Sequence, residues 1–261
     1  MDNLISHPLI VSALSLFLLW LSARTGLYVR KRQRKEEKDV HQDLDIIVSA
    51  TLTLLGLIIG FSFSMAVSRY DQRKNYEEAE ANAIGTEYLR ADLLPSADRS
   101  NVRALLRNYL DQRILFYETR DDHALSQIDA TTAQLQSELW SAVRTPAGAQ
   151  PTPVLALAVS GMNDVLNSQG YTQAAWWNRI PPGAWCLMAA VAICSNALIG
   201  YDSHRARTRA IRLLVLPLVL CTAFYAIADI DSPRRGAIRV HPQNLLSLAK
   251  SLHGQLEIPA P

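Results

Sequence analysis

The sequence predicts an all-α, polytopic membrane protein with four transmembrane helices and a helical soluble domain inserted between the second and third. Two observations carry this prediction. Residues 46–68 and 180–201 contain no Asp, Glu, Lys, Arg or His, and about 20 apolar residues suffice to cross a bilayer. The residues between them are rich in charge and show helical spacing of apolar side chains without strand alternation.

The uneven distribution of charge excludes several classes of protein. Hydrophobic residues make up 49% of the chain and charged residues 19%, and the charge is absent from long stretches, so the chain is not wholly soluble. Only three cysteines are present, all within apolar segments, which excludes a disulfide scaffold. Four segments qualify as membrane spans: 4–23, 45–68, 180–201 and 213–230.

Each span has its own justification. The first has no basic residue before its apolar run, so it is interpreted as a retained anchor rather than a signal peptide. The fourth is short, but Arg212 can reach the interface and Pro217 is expected to kink it. The predicted organisation is a first transmembrane helix with a basic loop (1–44), a second helix (45–68), a helical soluble domain (69–179), the third and fourth helices (180–230) and a C-terminal tail (231–261).

The soluble domain is predicted to contain four helical segments. No proline interrupts residues 46–94, so the second membrane helix is expected to continue outward until Pro95. Ser96 is a predicted N-cap for a helix whose stripe consists of Val102, Leu105, Leu106, Tyr109, Leu110, Arg113 and Phe116. Two further helices are expected over 122–143 and 154–168, separated by the turn-forming run 145–153.

Membrane orientation follows from basic residues in short loops, which resist translocation. Residues 24–45 hold seven Lys and Arg residues, and the link 202–212 holds four Arg residues. Both loops are therefore predicted to be cytoplasmic. The soluble domain and both termini would then lie on the opposite side.

The sequence contains no recognisable catalytic motif. It contains no P-loop, nucleophile elbow or pair of histidines four residues apart. We therefore expect no enzyme activity, metal, cofactor or nucleic-acid partner. An acidic cluster on the extended second helix is interpreted as a solvated or ion-paired helix face; its members are Glu77, Glu78, Glu80, Glu87 and Asp92.

Small residues form a stripe on the second membrane helix, and two interpretations stay open. Gly56 and Gly60 have the spacing that lets membrane helices pack closely, and the lack of an ionisable residue favours this interpretation. Alternatively, the stripe and its apolar neighbours line a conduit in an oligomer and gate it by dewetting. The pore-lining candidates are Thr53, Gly56, Gly60, Phe61, Ser64 and Ser68.

Two carboxylates, Asp229 and Asp231, stand where the fourth helix meets Pro233 and Gly236. Charge at a membrane boundary is costly without a partner, so each should be hydrated or paired. The composition favours a turn in which Asp accepts backbone N–H groups and Gly236 adopts a conformation that other residues disfavour. The alternative is a cation or gating site.

Three quoted runs resemble one known family. LTLLGLIIGFSFSMAVSRYDQRKNYEEAEANAIGTEYLRADLLP, then RALLRNYLDQRI, and finally ADIDSPRRGAIRVHPQNLLSL are similar to the bacterial bestrophin-like membrane proteins of unknown function. The first run carries the soluble-domain motif residues Glu80, Asn82, Gly85 and Arg90. The pattern departs at Arg234, where an aromatic residue is expected.

The resemblance implies a bacterial inner-membrane protein whose second helix enters a helical soluble region. Bestrophins are pentameric anion channels lined by that helix, so it also implies self-association and small anions as candidate partners beside the lipid bilayer. Bestrophins keep their soluble region and termini in the cytoplasm, opposite to the charge-derived orientation. The other function class is a non-conducting sensor or partner-binding scaffold that acts through the soluble domain.

Overall fold

The computed structural model describes residues 7–33, 40–202 and 206–254, and every regular element in these ranges is helical. A 3-10 turn, Ala91–Leu93, follows the second helix. The α-helices are α1 (Pro8–Gln33), α2 (Val40–Arg90), α3 (Ser96–Glu118), α4 (Asp122–Ala149), α5 (Pro153–Trp177), α6 (Pro182–Asp202), α7 (Ala206–Asp231) and α8 (Gln243–Gly254).

The predicted all-helical class is confirmed, and in the described ranges four stretches are long and apolar enough to cross a membrane. They differ in how much they pack against the rest of the chain. The most apolar part of α2 has 11% of its residues buried, against 50% for α7. The four stretches are Pro8–Arg32, Ile46–Leu93, Pro153–Tyr201 and Leu214–Asp231.

The chain divides into two compact units. The first, the apolar unit, comprises Met1–Arg69 and Arg179–Arg239. The second, the helical unit, comprises Tyr70–Asn178 and Val240–Pro261. The predicted tail 231–261 is thus shared between them, because α8 packs its apolar side into the helical unit, where Leu245 and Leu252 are buried.

In the apolar unit, α1 packs against both α6 and α7. The Ser22 hydroxyl donates to the carbonyl of Ile193 at 2.6 Å, and four residues further along α1 the Cα of Gly26 faces the carbonyl of Ala197. From one contact to the next, the residue numbers increase in the same direction along both helices. α1 and α6 are therefore parallel. Against α7, the order is reversed: His7 contacts Arg235, whereas Ser12 contacts Cys221.

One end of the apolar unit gathers three chain segments. The side chain of Asp231, at the end of α7, accepts the backbone N–H of Ile180 at 3.1 Å, just before α6. Arg69, where the uncharged stretch of α2 ends, lies 3.9 Å from the same carboxylate. The exit of α2, the entry to α6 and the exit of α7 therefore lie together.

The helical unit has a core contributed by α2, α3, α4, α5 and α8. The predicted stripe of α3 faces this core: Arg113 and most of its apolar members are buried, and Leu105 is half-buried against them. Aromatic rings of α3 and α5 meet edge to face around Trp176, whose ring centroid lies 5.0 Å from that of Phe116. The fully buried core includes Ile84, Leu106, Tyr109, Leu139, Val143, Met162 and Val165.

Several predicted helix ends differ from the observed ones. α2 continues as one helix to Arg90, as predicted. The predicted end of α4 near Val143 is wrong: the helix continues through Pro146 to Ala149, and burial of Pro146 offsets the backbone bond that proline removes. α5 runs nine residues beyond the predicted Ser168, because Thr172, Ala175 and Trp176 are buried. Pro95, not Ser96, occupies the N-cap of α3.

Candidate functional site

The pore-lining candidates share the exposed side of α2. Thr53, Gly56, Gly60, Phe61, Ser64 and Ser68 are all exposed. The opposite side of the same helix carries Leu55, Ser62 and Ala66, which are buried. Their spacing of seven and four residues marks the face that packs within the chain. The candidates therefore lie together on a face that has no cover in the described part of the chain.

The two glycines of this face are not used for packing inside the chain. A Cβ atom placed on Gly56 or Gly60 would meet no described atom within 4 Å. By contrast, a Cβ atom on Gly26 would lie 2.0 Å from the carbonyl oxygen of Ala197, and one on Gly200 would lie 2.0 Å from that of Ala23. The close helix contact of the described chain is thus between α1 and α6, and the small face of α2 remains available to another molecule.

Asp229 organises the turn after α7. Its two carboxylate oxygens accept the backbone N–H groups of Ala237, at 2.7 Å, and Ile238, at 2.8 Å. Gly236 makes this approach possible, because a Cβ atom there would lie 2.2 Å from the backbone oxygen of Asp229. These contacts match the part of the turn interpretation in which an aspartate accepts backbone donors. The expectation for Gly236 is wrong, because glycine is required there for the close backbone approach and not for a backbone conformation that other residues disfavour.

Asp231 is buried and serves a different segment. It accepts the backbone N–H of Ile180 and lies beside Arg69, as described above. The two aspartates therefore do not converge on one point: Asp229 holds the residues that follow α7, and Asp231 holds the residues that precede α6. Their predicted role in cation binding or gating stays a prediction.

The four soluble-domain motif residues are not gathered into one site. Glu80 is buried and forms an ion pair with Arg113 of α3. Asn82 is exposed. Gly85 lets α8 approach α2, since a Cβ atom there would lie 3.2 Å from a methyl carbon of Leu248. Arg90 donates to the carbonyl of Leu157 at 3.5 Å.

The buried Glu80–Arg113 pair is part of a polar network inside the helical unit. The second oxygen of Glu80 accepts the hydroxyl of Tyr117 at 3.3 Å and that of Thr172 at 3.1 Å. The Arg113 guanidinium also lies 4.4 Å from the ring centre of Phe116. The network joins α2, α3 and α5 through fully satisfied carboxylate oxygens.

Glu77 has a role that the sequence did not reveal. One carboxylate oxygen accepts the backbone N–H groups of Asn244, at 2.9 Å, and Leu245, at 3.0 Å, and the other accepts the side-chain amide of Asn244. These N–H groups are unpaired donors of the first turn of α8, so Glu77 caps that helix from α2. The interpretation of the acidic cluster as a solvated or ion-paired face holds for Glu80 and Asp92, which form ion pairs with Arg113 and Arg103. It is wrong for Glu77, which is a buried helix cap, and for Glu87, which is buried.

Glu87 is a buried member of the acidic cluster, and neither of its carboxylate oxygens has a hydrogen-bond partner among the described residues. Gly161 of α5 leaves room for it, because a Cβ atom there would lie 2.1 Å from the carboxylate. Burial raises the pKa of Glu87 from 4.5 to about 8, Arg90 lowers it and Asp164 raises it further. The neutral acid is the favoured form at neutral pH.

A pH dependence of stability follows from Glu87. Since its pKa is higher in the folded chain, the folded state binds the extra proton between pH 4.5 and about 8, and stability falls as pH rises through this window. We expect the thermal midpoint of the purified protein to fall from pH 5 to pH 8, and the isosteric Glu87→Gln variant to lose most of that slope. If the thermal midpoint falls with pH by the same amount in the natural protein and in the variant, the pH dependence arises from other groups.

Nothing in the described part of the chain brings three His, Cys, Asp or Glu side chains together as metal ligands. Cys186, Cys194 and Cys221 are free thiols on α6 and α7. The arrangement that remains is the small, hydroxyl-bearing face of α2, which carries no carboxylate. Such a face can contact a second helix or a hydrated small ion.

Comparison with known proteins gives a family and a fold. A family model described as a bestrophin-like domain matches residues 10–245. A bacterial bestrophin homolog from Klebsiella pneumoniae is 12% identical with a TM-score of 0.68, over 93% of this chain and 97% of that chain. A variant of that homolog is 10% identical with the same TM-score, over 96% and 99%. No curated protein matches.

Proposed function

The chain belongs to the bestrophin-like family, and from that premise we propose that it is a homo-oligomeric membrane channel for small anions. The exposed face of α2 lines the conduit. The observation that carries the proposal is the open surroundings of Gly56 and Gly60 on the least buried of the four apolar stretches.

A second copy of the chain would cover this part of α2. A helix that packs on one side only, through Leu55, Ser62 and Ala66, leaves its other sides to lipid or to another chain. Phe61, Phe63 and Met65 suit either environment because they are apolar and exposed. Glycine and hydroxyl residues are poor partners for lipid alone, so their stripe favours contact with protein or water.

Symmetric copies would repeat each residue of the stripe as a ring around an axis. Rings of Thr53, Ser64 and Ser68 offer hydroxyl donors to an anion, and the stretch 46–68 holds no carboxylate to repel one. A ring of Phe61 adjacent to them is a hydrophobic constriction of the kind that gates by dewetting. The polarity of the conduit thus fits weakly hydrated anions.

The proposed arrangement is two spans, the soluble domain, then two spans, in a bacterial inner membrane. The meeting of Arg69, Ile180 and Asp231 supports it, since it puts the exit of α2 beside the entry to α6. Loops 24–45 and 202–212 are proposed to be cytoplasmic on their basic charge. A reporter fused after Pro261 that is active in the cytoplasm would contradict this orientation.

The proposal is tested by chloride flux from liposomes that contain the purified full-length protein. We expect flux from the natural chain and none from a Gly60→Leu, Ser64→Leu variant, because leucines fill the ring positions. Ala190→Leu is the matched control, since Ala190 is exposed and belongs to α6, not to the α2 face, and this variant should conduct. The oligomer is measured in parallel by light scattering.

Two results would reject the channel. A stable monomer in mild detergent would leave too little surface to enclose a conduit. A well-folded oligomer that passes no halide, with or without calcium, would favour the other function class, a membrane sensor or partner-binding scaffold that acts through the helical unit.

A further inference from the structure

A groove of about 230 Å³ opens on the apolar unit between α1 and α6. Its walls are apolar side chains, among them Ile10, Leu14 and Leu18 of α1 and Ala189 of α6, with Phe224 of α7 at its base. The stretches that form it are long and apolar enough to lie in a membrane. Water binds such an apolar groove poorly, because an ordered water molecule needs two to four polar partners.

The groove lies on the side of the close α1–α6 contact where both helices begin. At Gly26 and Gly200 their backbones touch, since no side chain intervenes. The lining of the groove runs from Ile10 and Trp185, near the starts of the two parallel helices, to Leu19 and Ile193, about 12 Å further along at 1.5 Å per residue.

Trp185 lines the groove near the start of α6 and carries a polar atom. Its indole N–H is buried, and no described residue accepts its hydrogen. A buried donor without an acceptor costs free energy, so such a group is expected to find a partner from outside the chain. Trp185 also lies in the first turn of α6, which begins at Pro182. Tryptophan prefers this level, at the membrane–water interface.

The occupant must therefore be apolar along its length and carry a hydrogen-bond acceptor near the interface. An ester-linked phospholipid has this chemistry: an acyl chain that extends into the bilayer and an ester carbonyl at its outer end. We propose that the groove between α1 and α6 binds one acyl chain of a bilayer phospholipid, with the lipid ester carbonyl accepting the Trp185 indole N–H. The site is separate from the α2 face and does not depend on conduction.

The test compares an ester-linked phosphatidylglycerol with its ether-linked analogue, which lacks the carbonyl. Native mass spectrometry of the full-length oligomer in detergent measures the affinity for each added lipid. A neutral hydrogen bond contributes about 1 kcal/mol, so the natural chain should bind the ester lipid about fivefold more tightly. Trp185→Phe should remove that preference, while Trp177→Phe, a change at an exposed tryptophan of the helical unit, should keep it.

A second pair of variants tests the groove itself. Ala189→Leu fills it and should reduce binding of both lipids by at least tenfold. Ala190→Leu, one residue along and outside the groove, should not. Equal affinity of the natural chain for ester and ether lipids would overturn the carbonyl contact. If Ala189→Leu dissociates the oligomer and leaves lipid binding unchanged, a second copy occupies the groove and the proposal is wrong.

Discussion

Replacing Glu80 by leucine is expected to lower the free energy of unfolding of the helical unit by about 3–5 kcal/mol, because it leaves the Arg113 charge buried and unpaired. Arg113 and Glu80 are both fully buried, and the same change removes the acceptor of the Tyr117 and Thr172 hydroxyls. The effect is measured by denaturant or thermal unfolding of the purified protein.

Two comparisons separate this effect from a general sensitivity to mutation. A Glu80→Leu, Arg113→Leu double variant should be less destabilised than the sum of the two single variants, since no unpaired charge remains. Asp92→Leu breaks the exposed pair with Arg103, whose atoms lie 2.9 Å apart, and should cost under about 1 kcal/mol. If Asp92→Leu lowered the free energy of unfolding as much as Glu80→Leu does, burial would not determine how much these ion pairs contribute to stability.

Gly26→Ala and Gly200→Ala are expected to disrupt the packing of α1 on α6. Each new methyl group would lie 2.0 Å from a carbonyl oxygen of the facing backbone, which cannot rotate away as a side chain can. The helices must separate, at a cost of about 1–3 kcal/mol or more for each change. Thermal unfolding in detergent and the yield of monodisperse protein report the loss.

Gly60→Ala is the matched control for this pair of variants. The same methyl group meets no described atom there, and alanine favours a helix over glycine by about 1 kcal/mol. We therefore expect it to leave the chain as stable or more stable. Destabilisation by Gly60→Ala equal to that of Gly26→Ala would indicate that the face of α2 is covered as tightly as that of α1.

The continuity of α2 could be predicted because proline is absent from residues 46–94 and the helical pattern persists. The end of α4 could not, since proline normally stops a helix and only the tertiary burial of Pro146 allows it to continue. The tail helix α8 escaped prediction for a similar reason: its first turn is capped by Glu77, 167 residues earlier than Asn244.

The candidate site was predictable where its partners are close in sequence. The turn at Asp229 could be predicted because its acceptors and donors lie within nine residues. The sequence could not show which glycines lie at a close helix contact. Gly56 and Gly60 have the four-residue spacing typical of packed membrane helices, yet the close contact is at Gly26 and Gly200. Spacing along one helix carries no information about which helix faces it.

The helical unit is built from two separated parts of the chain, and this sets an order of events during synthesis. Glu77 and the core around Ile84 leave the ribosome long before Asn244 and Leu245, which complete them. The 66 residues from Asn178 to Asn244 take about 3–13 seconds to translate at roughly 5–20 residues per second. During that interval Glu77 has no helix to cap, so the nascent unit stays open until the last membrane segment has been made, and a chain that terminates early is left with that surface uncovered.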